Sequence, residues 1–145
     1  MNNRARIFFV VGSAGLAIVG LLHMWGQFGN GDRPFARAAI ESAMRAYKIE
    51  SMGMSFSLMD VTQSWGVSFG ILLIYGGVQN LVAVSLLPRS TGLAALAGCS
   101  ALCAGVLLGL AIAYHIAPPI IIFSVVFLCF AAATVLSVLS SPAGQ

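Results

Sequence analysis

Two histidines and one carboxylate carry most of the chemistry this sequence offers: His23, Asp60 and His115. Each stands at the edge of a long apolar block. His23 is followed by Met24, Trp25 and Gln27; Asp60 precedes Gln63, Ser64 and Trp65; His115 follows Tyr114. If the blocks are successive antiparallel helices, all three ionisable groups reach the same membrane face. An ionisable group at membrane depth is costly, so it turns to the bundle interior and finds a partner. Asp60 beside an imidazole would be such a pair, the carboxylate raising the proton affinity of the ring. On this reading His23, Trp25, Asp60, Gln63, Trp65, Tyr114 and His115 line a polar ligand site. Two histidines on different helices also offer both axial ligands of a haem b. Met52 and Met54, thioethers beside the imidazoles of His23 and His115, offer instead a soft copper site. The same positions equally suit an interfacial belt, in which Trp25, Trp65 and Tyr114 sit at the headgroups and the histidines and Asp60 snorkel to water.

The elements that position these groups follow from composition. The chain has 145 residues, of which 59% are hydrophobic and 8% charged, with a mean hydropathy of +0.98. Soluble domains carry about 25% charged residues. Four apolar blocks, 7–27, 61–87, 91–115 and 118–139, each approach the ~20 residues that cross a bilayer as helix. Transmembrane strands would alternate in polarity, and these blocks are apolar on every side. The expected fold is therefore an all-α integral membrane protein, a single domain of four transmembrane helices. The first block is expected to stay in the mature chain, because the cleavage-like Ala36-Arg37-Ala38 lies well beyond its apolar run.

Eight of the eleven charged residues lie between Asp32 and Asp60, leaving only Arg4, Arg6 and Arg89 elsewhere. Within this polar segment, Asp32 and Pro34 resemble a helix start. Phe35, Ile40, Met44 and Tyr47 then fall near one face, and Arg37, Glu41, Arg45 and Lys48 on the other. An amphipathic interfacial helix over 34–48 is expected, lying in the headgroup region or closing over a ligand.

Small residues four apart, Gly66/Gly70 and Gly105/Gly109, let helix backbones approach within the bundle or in a homodimer. Cys99, Cys103 and Cys129 read as small buried hydrophobes. Tyr75-Gly76-Gly77 is a place where the second span could loosen, and Gln79 and Asn80 read as interhelical hydrogen-bond partners or end groups. Pro118-Pro119 opens the last span and ends the third around His115. The sequence has no Gly-rich phosphate loop, no His-Glu-x-x-His pair and no Gly-x-Ser-x-Gly elbow. Its sparse, dispersed positive charge gives no nucleic-acid footprint.

Ala43-Met44-Arg45, Ser57-Leu58-Met59-Asp60, Trp65-Gly66-Val67-Ser68-Phe69-Gly70 and Pro118-Pro119-Ile120-Ile121, in this order and spacing, resemble a family of small four-span bacterial membrane proteins of uncharacterised function. The resemblance implies the bacterial inner membrane and no particular activity. The functional expectation is a non-enzymatic accessory subunit or small-ligand binder with a polar site at the outer face, in contact with the lipid bilayer and with a membrane-protein partner or a second copy. The alternative is a membrane redox protein or enzyme using His23, Asp60 and His115. Arg4 and Arg6 beside the first span favour cytoplasmic termini. Reporter fusions at Met1 and near Gly31 should therefore report opposite sides of the membrane, and a cytoplasmic signal from Gly31 would reverse the orientation.

Overall fold

A computed structural model describes residues 3–28, 35–86 and 92–140. In chain order the elements are α1 (Asn3–Phe28), α2 (Phe35–Ala46), β1 (Lys48–Ser51), β2 (Met54–Ser57), α3 (Leu58–Leu86), α4 (Gly92–Ala113) and α5 (Ala117–Leu139). Four of these, α1, α3, α4 and α5, are long and apolar enough to cross a membrane. Each of the four expected spans is thus found as a helix, shifted at its ends by a few residues. Asp32, Pro34, Arg33 and Arg89 lie outside the described residues, and so does the proposed start of the interfacial helix.

The contacts divide the chain into two compact units, Met1–Val19 with Leu73–Gln145, and Gly20–Leu72. In the first, the core consists of Ala5 and Phe9 from α1, Val84 from α3, Leu93, Ala97 and Ala104 from α4, and Val126, Phe130 and Ala133 from α5. The Phe9 and Phe130 rings meet at 5.4 Å with planes inclined by 53°, one of the tilted arrangements that aromatic quadrupoles favour over a flat sandwich. Small side chains dominate the buried side of α4, which lets α5 pack against it closely.

Gly77 marks the tightest approach in this unit. A Cβ placed there would stand 2.6 Å from the Ser13 carbonyl oxygen and 2.7 Å from the Ala17 amide nitrogen, both backbone atoms that cannot move aside. Helix α3 nevertheless runs unbroken from Leu58 to Leu86, so Tyr75-Gly76-Gly77 does not loosen it. The glycine at 77 serves the crossing with α1 instead. Ser13, buried at that crossing, donates its hydroxyl to the Phe9 carbonyl at 2.7 Å, which removes the need for a partner on another helix.

The second unit departs furthest from expectation. Helix α2 ends at Ala46 rather than Lys48, and a two-stranded antiparallel hairpin follows, with Lys48 opposite Ser57 and Ser51 opposite Met54. Tyr47 explains the early stop. Its amide still bonds the Ala43 carbonyl at 3.0 Å, but its own carbonyl accepts from the Leu58 amide at 3.0 Å, which draws the chain out of the helix and onto the start of α3. Met52 and Gly53 form the turn with φ of 52° and 76°, both left-handed as the tight two-residue hairpin turn demands. Methionine in place of the usual Asn or Asp at the first of these positions is what hides the hairpin from a reading of the sequence. In α2, Arg37 and Glu41 form an ion pair at 3.0 Å. Phe35 and Ile40, expected near one face, are exposed as are Arg37 and Arg45, so burial does not divide this helix into two faces.

Gly77→Ala should lower stability by about 1–3 kcal/mol, the cost of forcing a methyl into a filled space. Gly109→Ala, where no atom lies within 4 Å, should leave the melting temperature in detergent unchanged.

Candidate ligand-binding site

Asp60 and His115 each have a local structural role. Ser57 precedes α3, and its amide and hydroxyl donate to Asp60 Oδ2 at 2.9 and 2.6 Å, while the Asp60 amide donates back to Ser57 Oγ at 3.1 Å. This is a reciprocal capping box over Ser57-Leu58-Met59-Asp60, which satisfies amides that the first helical turn leaves open and moves the start of α3 from the expected Val61 back to Leu58. The exposed Asp60 carboxylate is engaged with its own helix and not with an imidazole. His23, on α1, sets its ring edge-on to Phe69 at 5.4 Å and 81°, and its buried Nε2 has no hydrogen-bond partner among the described residues.

His115 closes α4. It has φ 53°, its amide donates to the Ile112 carbonyl, and the Ile116 amide donates to the Ala111 carbonyl, each at 3.0 Å. That pair of bonds around one left-handed residue is a Schellman cap, so α4 ends at Ala113 and not at His115. Histidine tolerates this backbone region better than most side chains.

The remaining expected residues are divided between the two units. His23, Trp25, Asp60, Gln63 and Trp65 belong to the unit Gly20–Leu72, and Tyr114 and His115 to the other. Trp25 and Trp65 are exposed by 74% and 77%. Met52 and Met54 are exposed on the hairpin. Among the described residues, no three His, Cys, Asp or Glu side chains gather where they could hold a metal ion. Gly66 and Gly70 face their own chain: a Cβ on Gly66 would meet the Gln27 amide at 2.5 Å, and one on Gly70 would meet Met24 Sδ at 2.7 Å. Gly105 lies against Phe127, while Gly109 meets nothing.

A concave site lies in the first unit. A cavity of about 270 Å³ opens between α1, α3, α4 and α5, walled by Leu16 and Phe130 and carrying Gln79, Asn80, Cys99, Ser100 and Cys103. Asn80 Nδ2 donates to Ser100 Oγ at 3.1 Å and ties α3 to α4. Of the two roles expected of Asn80, interhelical partner or end group, this is the first. Asn80 stands six residues before the end of α3 and Ser100 eight residues after the start of α4, so at 1.5 Å of rise per residue the pair is roughly 9–12 Å inside the helix ends.

Cys99 and Cys103 are free and exposed rather than buried, one turn apart on the cavity side of α4. The buried side of that helix is taken by Leu93, Ala97, Ala104 and Ala111. Cys129 is half-buried on α5. A second hollow lies over Glu50–Ser55, but it is the open surface of a single hairpin and has no opposing wall.

Fold and cavity together define an integral membrane protein built on four helices of spanning length. No protein-family model, curated protein or solved structure matches the chain.

His115→Gly should keep or raise the melting temperature, since glycine relieves a left-handed conformation that costs other residues about 1–2 kcal/mol. His115→Val should lower it. Loss of a bound metal or chromophore from folded His115→Gly protein would return His115 to a ligand role.

Proposed function

We propose that this chain is a non-enzymatic membrane protein that binds a small lipophilic ligand in the cavity between α1, α3, α4 and α5. The observation that carries this reading is a hydrogen-bonded pair, Asn80 and Ser100, exposed to a cavity whose other walls are largely apolar. Small-molecule sites have this composition: an apolar enclosure with a few polar groups that fix orientation. At about 270 Å³ the space is near the small end of ligand sites. A ligand of this kind would enter sideways from the bilayer.

The setting follows from charge and aromatic placement. Arg4 and Arg6 beside the start of α1 favour cytoplasmic termini in a bacterial inner membrane. Trp25, Trp65 and Tyr114, all exposed, suit the headgroup level. Helix α2 would lie in the same zone, Phe35 and Ile40 toward the acyl chains and Arg37 and Arg45 toward the phosphates. This reading puts the polar site at Asn80 and Ser100 on α3 and α4 and not at His23, Asp60 and His115.

Native mass spectrometry of protein extracted in mild detergent tests this. A lipophilic molecule should remain bound in close to one copy per chain, and Cys103→Trp, which fills the cavity from an exposed position, should release it without unfolding the helices. Identical bound mass in wild-type and Cys103→Trp protein would sink the reading.

A further inference from the structure

The hydrogen bonding of Ser100 narrows the ligand. Ser13, Ser124 and Thr134 all donate their hydroxyls to the carbonyl four residues earlier, at 2.7, 2.7 and 2.9 Å. This is the usual way for a hydroxyl to be satisfied on a helix in an apolar setting. Ser100 differs. Its oxygen accepts from Asn80 Nδ2 at 3.1 Å, and a serine hydroxyl that accepts in this way still has one O–H to give. The Asn80 amide has a second N–H, and Gln79 on the same wall brings a further amide. The cavity is open on one side, with Gln79 exposed at its rim, and it presents the Ser100 hydroxyl and amide N–H groups, together with amide oxygens, beside largely apolar walls, where an unmatched donor costs more than in water.

Charge restricts the occupant as strongly. Every side chain lining the cavity is uncharged. A carboxylate, phosphate or ammonium head would enter without a counter-charge, and burying an unpaired ion in a low-dielectric medium is prohibitive. Cys99 and Cys103 contribute only weak, polarisable S–H groups.

We infer that the cavity takes an uncharged lipid whose head carries carbonyl oxygens, which accept hydrogen bonds from Ser100 and from the Asn80 and Gln79 amides. The tail leaves through the open side of the cavity into the bilayer. This inference rests on the ligand-binding reading above and specifies its chemistry.

Three probes with tails of nine or ten carbons separate the possibilities in detergent solution: decylubiquinone, which is neutral and has carbonyl acceptors; decylbenzene, which has a ring and no oxygen; and decanoate, which is charged. Decylubiquinone should bind about tenfold or more tightly than either of the others. Ser100→Ala should weaken it by about three- to tenfold, the worth of one hydrogen bond, and leave decylbenzene unaffected. Ser100→Thr, which keeps the hydroxyl, should retain binding. That rescue separates recognition from a general loss of helix packing.

Equal affinity for decylubiquinone and decylbenzene, or tightest binding of decanoate, would overturn the carbonyl-lipid assignment while leaving the cavity a binding site. Failure of all three probes would likewise overturn it if Cys103→Trp still released a co-purifying molecule. Failure of all three with no effect of Cys103→Trp would remove the binding reading altogether.

Discussion

Hydrocarbon offers no hydrogen bonds, and this constraint shapes the backbone and most of the hydroxyls of the four long helices. Backbone amides and carbonyls within the spans must be satisfied inside their own segment, which selects helix for each apolar block. The helix ends follow the same rule. Ser57 and Asp60 satisfy the first turn of α3 reciprocally, and the left-handed His115 lets two amides fold back onto the last carbonyls of α4. Ser13, Ser124 and Thr134 turn their hydroxyls onto their own helices. The Asn80–Ser100 bond stands apart because it joins two helices, and it does so at the edge of the cavity.

Close packing supplies what the hydrophobic effect cannot. Between helices in lipid there is little to gain from burying one apolar surface against another, so association depends on contact distance and shape. Gly77 permits backbone-to-backbone approach of α3 and α1 at Ser13 and Ala17. The small residues along α4 do the same toward α5, where Phe127 covers Gly105 and Thr134 lies against Gly98. The cavity lies beside Gly76 and Ala104, where the walls are small. Tight crossings and a void on the same helices are two results of one choice of side-chain size.

Two of the three residues with the most obvious chemistry hold helix ends. Asp60 caps a helix and His115 ends one. Ser57-Leu58-Met59-Asp60 was open to recognition beforehand, because Ser followed three residues later by an acidic side chain is a capping signature. The hairpin between Lys48 and Ser57 was not, since its strands have four residues each and its turn lacks the Asn-Gly or Asp-Gly signal. The charged spacing of Glu41, Arg45 and Lys48 continues a helical pattern past the point where Tyr47 leaves it.

The sequence by itself determined the class, the four spans and the place of the polar segment, because the length and hydropathy of a block are one-dimensional properties that the bilayer reads directly. Asn80 was legible as either an interhelical partner or an end group, because an amide in an apolar block must find a hydrogen bond. Only the tertiary structure decided that its partner is Ser100, that Gly77 marks a helix crossing, and that Cys99 and Cys103 face a cavity instead of the core. The physical reason is that a spanning helix is apolar on its lipid side and its protein side alike, so its sequence carries almost no signal for which face turns inward.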